Sequence, residues 1–261
     1  MVVLRHEIKS GRNALIIWTA AIAFLLAVCI LIYPEMAGQM SEISDTFAQL
    51  GGFSAAFGMD EINFGEFTGF FGVECGNVLG LGGAFFAALI GISALAKEEK
   101  EHTAEFLLTH PLGRIRIVAE KLGAVVIQVI ILNAVVAAVT AVCILAIGEK
   151  TDVGDIALML FAYLLLQVEI AFICFGISAF LRRSGLGIGL GLAAIMYFLN
   201  IIANLVEQAE FLKYITPFGY TESSAIIADG GLNGGYVALG AVLSFIGIAA
   251  AFSEYQRKDI A

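Results

Sequence analysis

Apolar residues along this chain gather into six runs separated by short polar stretches, at about residues 14–33, 71–96, 122–147, 156–181, 186–206 and 236–252. A helix rises ~1.5 Å per residue and needs roughly 17–25 apolar residues to cross the hydrocarbon layer. Each run is long enough, so the pattern predicts six spanning helices. Ahead of the first run, Val2 to Gly11 alternates Val3, Leu4 and Ile8 with Arg5, His6 and Lys9, which predicts an interfacial helix leading into the membrane. Pro34 is expected to end the first span, because proline carries no amide donor and obstructs the preceding turn.

The polar stretch between the second and third runs, residues 97–121, mixes both signs of charge and therefore belongs in water. Glu98 to Thr109 has no Gly or Pro, and places Phe106, Leu107 and Leu108 beside Glu101 and Glu105, the make-up of a short amphipathic helix. Pro111 and Gly113 break it. A second helical run follows, with Ile115, Val118, Ala119 and Leu122 on one face as it enters the third span.

Basic residues set the orientation, since cytoplasmic loops carry the Lys/Arg excess. Arg5, Lys9, Arg12, Lys97, Lys100, Arg114, Arg116, Lys121, Arg182, Arg183, Arg257 and Lys258 fall on one side, against Lys150 and Lys213 on the other. Both termini and residues 97–121 are thus expected in the cytosol. The stretch from Glu35 to Phe70, with six acidic residues and no Lys or Arg, is expected outside. So is Glu207 to Gly235, whose Phe211, Tyr214, Ile215, Phe218 and Tyr220 are too apolar for a free loop and predict partial re-entry.

Composition narrows the function classes. Of 261 residues 60% are hydrophobic and 14% charged, and the mean hydropathy is +0.93; a soluble domain carries nearer ~25% charge. The class is an all-α polytopic membrane protein, with membrane lipid as its surroundings and no feature suited to nucleic acid. Cys29, Cys75, Cys143 and Cys174 have no CxxC spacing, and His6, His102 and His110 no metal-ligand spacing, so neither a disulfide framework nor a metal site is indicated. No nucleophile, base and acid can be assembled across the topology.

Within the spans, small residues mark close helix contacts. Gly72, Gly76, Gly80, Ala84 and Ala88 recur every four residues on the second span, and Gly185, Gly187, Gly189 and Gly191 open the fifth. Glu169, at mid-depth of the fourth span, is the costliest residue, at ~2.5–3.5 kcal/mol on the insertion scale. Ala162 and Gly176 share its face, so the carboxyl is directed into the bundle. It serves a substrate path or subunit interface, a proton or sodium site, or a structural hydrogen bond to Asn133, Asn200 or Asn204. For those three asparagines interhelical hydrogen bonding is expected.

Residues 98–114 carry a more specific pattern. Thr103-x-Glu105-x-Leu107-Leu108-x-x-Pro111-x-x-Arg114, with Glu98 ahead and Lys121 behind, resembles the Glu-x-x-x-Gly-Thr-x-Glu-x-Leu-Leu-x-x-Pro-x-x-Arg signature of type-2 ABC transporter permeases, with His102 where the signature has Gly. Leu212 to Phe218 and Tyr255 to Asp259 are similar to further pieces of that family. The resemblance implies a coupling helix between spans two and three that docks on a separate cytosolic ATPase. Phe106, Leu107 and Leu108 would supply the apolar contact, and Glu98, Glu99, Glu101 and Glu105 would meet basic groups. It also implies a dimer with a second permease copy or homologue in the cell membrane, and export as the activity. The chain has no GxxxxGK[ST], so no cofactor is expected on it; ATP and magnesium would belong to the partner. Two rival readings are a secondary transporter using Glu169 as an ion site and a non-transporting ABC complex. An intramembrane protease of the Glu-Glu-x-x-x-Arg type fails, because Glu98-Glu99 is followed by Thr103 where that motif has Arg.

Overall fold

The computed structural model describes residues 2–49 (side chains to 37), 66–97, 113–149, 151–181 and 185–257, with the Glu207 side chain left out. The described residues are helical throughout, without strands. The main helices are α1 (Val2–Gln49), α2 (Phe67–Ser93), α3 (Arg114–Ile147), α4 (Val153–Ser178), α5 (Leu186–Leu205), the short α6 (Ser223–Asp229) and α7 (Gly234–Arg257). All but α6 are long and apolar enough to cross a membrane, which makes this a multi-pass membrane protein.

Two expectations about α1 change. The N-terminal segment and the first span form one continuous helix, and Pro34 lies inside it. A proline costs the helix one amide bond, and here tertiary contacts hold the chain at that point. Tyr33 packs on Phe67 and Phe70 of α2 with ring centroids 5.1 and 5.0 Å away.

The core lies where α2 and α4 cross, and 61% and 50% of their apolar windows are buried, against 11% for α7. Their approach is close because side chains are missing from it. A Cβ on Gly91 would fall 3.0 Å from the Cβ of Cys174. Halfway along, α2 makes one π turn, Gly76–Leu81, around the ring of Tyr163. A π turn adds one residue to a helical repeat and rotates everything beyond it. Gly72 meets Ser223 of α6, Gly76 and Gly80 meet Tyr163 of α4 within the turn, and beyond it Gly83 and Gly91, off the four-residue stripe, continue the contact with α4. Ala84 and Ala88 are fully buried, and the Ala88 carbonyl meets Gly189 of α5. The four-residue stripe of the sequence thus serves several neighbours rather than one.

On α5, Gly185 and Gly189 pack on Ile92, but nothing lies within 4 Å of a Cβ built on Gly187 or Gly191. Between α4 and α7, Gly176 faces Gly247 so closely that a Cβ on Gly176 would sit 2.6 Å from the Gly247 carbonyl oxygen. The outward faces of α1, α5 and α7 show Ile17, Phe24, Phe198 and Phe245 to the surroundings, as lipid-facing helices do.

The segment between α5 and α7 folds as two 3₁₀ turns, Glu207–Tyr214 and Pro217–Tyr220, followed by α6. Its apolar residues divide. Phe218 and Tyr220 are buried in the bundle, while Phe211, Tyr214 and Ile215 are exposed. Thr216 anchors the entry, its hydroxyl donating to the Met196 carbonyl of α5 at 2.8 Å.

Candidate functional site

The N-terminus of α1 and the C-termini of α2 and α7 all meet the first two turns of α3. A helix leaves its first amides and last carbonyls unpaired, and its dipole favours an anion at the N-terminus and a cation at the C-terminus. Arg114–Lys121 supplies each of these. The Glu120 carboxylate accepts from the Val3 and Leu4 amides at 2.9 and 3.2 Å, capping the start of α1 from another helix. Lys121 donates to the Ala94 carbonyl at 2.6 Å, where α2 ends. Arg114 donates to the Tyr255 and Gln256 carbonyls at 3.3 and 3.0 Å, at the end of α7.

Lys121 is buried, its side chain 0% exposed, and its charge is met by Glu7 of α1 at 2.9 Å. A buried ammonium is tolerable only when paired and hydrogen-bonded, and both conditions hold. Glu120 is met by the Arg116 guanidinium at 2.9 Å, one turn back. Lys97, at the other end of the polar stretch, donates to the Ser10 hydroxyl of α1. Residues 97 and 113–121 are thereby tied to the same three turns of α1. A cavity of about 110 Å³ lies beside this knot, lined among others by Glu7, Ser10, Lys97, Lys121 and Gln128.

The buried face at the start of α3 differs from the one the apolar pattern suggests. Ile117, Val118, Glu120 and Lys121 are buried, whereas Ile115 and Ala119 are exposed. Glu120 and Lys121 turn inward because the start of α1 and the end of α2 are there to receive them. Of the residues assigned to ATPase contact, Arg114 and Lys121 point to partners within the bundle. Glu98, Glu99, Glu101, Thr103, Glu105, Phe106, Leu107, Leu108 and Pro111 lie outside the described residues.

At mid-depth the polar residues sort into pairs that the sequence reading did not make. Asn133 of α3 donates to Gln167 of α4 at 2.7 Å and to its own Val129 carbonyl at 2.9 Å. Glu169 is buried, and its partner is Tyr220 rather than an asparagine; the phenol donates to Oε2 at 3.0 Å. Gly240 of α7 leaves room for that carboxylate, which a Cβ there would strike. Among the described residues Asn200 and Asn204 show no interhelical hydrogen bond. Their Oδ1 atoms are buried and unpaired among the described residues, and both side chains line a cavity with Tyr163, Tyr197 and Glu222. Among the described residues no group of three or more His, Cys, Asp or Glu is placed to hold a metal.

Glu7, Ser10, Glu120, Gln167 and Tyr220 were missed in the sequence. The charged ones carried a faint signal, as charges at the edges of apolar runs; Tyr220 stood out only as an apolar loop residue, without a hint of its carboxylate partner, and Gln167 carried no signal. A search of curated proteins finds no match to this chain. A family model described as ABC-2 family transporter protein matches residues 1–260, all but the last residue. With six spanning helices and a knot of helix ends closing one face of the bundle, the chain belongs to the ABC-2 family of transporter proteins, the membrane permeases of ABC transporters that work with a cytosolic ATPase subunit.

Proposed function

We propose that this protein is the membrane-spanning permease subunit of an ATP-driven ABC exporter in the cell membrane, with both termini and residues 97–121 in the cytosol. A separate ATPase subunit binds ATP and magnesium, and a second permease copy or homologue completes the translocation unit. The observation that carries the reading is the knot at the start of α3. A push on the coupling segment is delivered through Arg114, Glu120 and Lys121 to the ends of α7, α1 and α2 together. Lys97 carries the same push to α1 through Ser10. Because the Arg114, Glu120 and Lys121 links hold charges at helix termini, the helices move as bodies rather than bend locally.

Affinity purification from the native host tests this, comparing wild type with a Leu107→Asp, Leu108→Asp double variant. A P-loop ATPase that co-purifies with wild type and is lost from the variant is the expected result. Absence of an ATPase from both samples sinks the proposal and turns attention to a secondary transporter working through Glu169.

A further inference from the structure

The face of the bundle opposite the termini holds a second polar site, formed where α2, α4, α5 and the segment before α6 meet. A cavity of about 70 Å³ is lined there by Asn77, Tyr163, Tyr197, Asn200, Asn204, Phe218 and Glu222, among others. Three of its acceptor atoms are buried with no hydrogen-bond partner among the described residues: Asn200 Oδ1, Asn204 Oδ1 and Glu222 Oε1. A buried acceptor left unmade costs ~1–3 kcal/mol. Three around one cavity mark a place built for a ligand rich in donors.

The neighbouring groups are already committed. Tyr163 donates to the Thr221 carbonyl at 3.2 Å. Glu222 gives its other oxygen, Oε2, to Lys213 at 2.9 Å. The orphaned set is one oxygen of a carboxylate that Lys213 already neutralises and two amide oxygens, three acceptors that favour one group carrying several N–H donors. Divalent ions of the calcium type take six to eight oxygens, commonly from several carboxylates; among the described residues Glu222 is the only carboxylate lining this cavity. The rings of Tyr163, Tyr197 and Phe218 form much of the remaining wall, with Tyr197 edge-on to Phe218 at 5.4 Å. Aromatic walls suit an organic cation and its carbon stem.

We propose that this cavity binds a primary ammonium group, whose three N–H donors match Asn200, Asn204 and Glu222. Drug-sized ligands occupy roughly 300–1,000 Å³, so the cavity takes the ammonium and its first carbons only. The group comes either from an aminophospholipid headgroup or from a free amine. The site is independent of ATPase docking, and stands or falls apart from the export reading.

The test is thermal unfolding of the purified full-length protein, in detergent and in nanodiscs. In detergent, ethanolamine hydrochloride is titrated against choline chloride and sodium chloride at equal ionic strength. In nanodiscs, phosphatidylethanolamine is compared with phosphatidylcholine. Saturable stabilisation by ethanolamine alone supports a site for free amines, and stabilisation by phosphatidylethanolamine alone supports a headgroup site. Either response should fall at least tenfold in apparent affinity in Asn204→Leu and in Asn200→Leu. Equal responses to choline or sodium, no response in either medium, or full retention in both variants overturns the proposal and leaves ordered water as the occupant. The selectivity of the wild-type protein decides the matter even if a variant folds poorly.

Discussion

Replacing Lys121 by Met keeps the length of the side chain and removes its charge, which isolates what the ammonium does. In the native protein it bonds the Glu7 carboxylate at 2.9 Å and the Ala94 carbonyl at 2.6 Å, in a site its own side chain does not share with solvent. Breaking a buried pair from one side costs about 3–5 kcal/mol. Glu7 keeps 14% exposure and regains some hydration when abandoned, so the lower end, about 3 kcal/mol, is expected for Lys121→Met. Glu7→Gln retains an acceptor but leaves the fully buried Lys121 charge uncompensated, and should also cost about 3 kcal/mol. In the double variant the lysine–glutamate attraction is lost once, not twice. The two single effects should therefore overshoot the double effect by about 3 kcal/mol, as residues in one buried pair do. The assay is reversible unfolding in mixed micelles by added anionic detergent, followed by helical circular dichroism, for wild type, both singles and the double. A coupling below about 0.5 kcal/mol, the usual additivity of distant sites, would refute the claim that this pair holds α1 to α3.

Two further outcomes are open to the same assay. Asn133→Leu and Gln167→Leu should each cost about 1–2 kcal/mol, as interhelical polar contacts in membranes do; the double variant should cost less than their sum, because no orphaned polar group remains. Gly187→Ala meets open space and should stabilise α5 by about 0.5–1 kcal/mol in helical propensity, whereas Gly189→Ala, whose Cβ would fall 2.8 Å from Ile92 Cγ2, should destabilise it. Equal effects at the two glycines would contradict the packing of α5 on α2.

Six apolar runs of spanning length could be read directly, because crossing a lipid layer is a local demand that each segment meets on its own. The family pattern in residues 98–114 was equally legible, and a family model now covers residues 1–260. It also drew attention to Arg114 and Lys121, although the groups they bind could not be named. Lys121 and Glu7 lie 114 positions apart, and Glu169 and Tyr220 51, so no spacing rule links them. A periodic pattern counts apolar residues and cannot foresee that Glu120 and Lys121 turn inward while Ile115 faces out. Nor can it foresee the π turn at Gly76–Leu81 packed on Tyr163 of α4, beyond which the Ala88 carbonyl meets Gly189 of α5.

The sequence by itself determined the six apolar spanning runs and their order, since these follow from the cost of burying polar backbone and side chains in lipid. The tertiary structure decided which charges are held at which helix ends, which carboxylate meets the Tyr220 phenol, and which acceptors around Asn200, Asn204 and Glu222 are left open. Those outcomes depend on several helices arriving at one place, where an ammonium or a carboxylate is stable only if all its partners are already there.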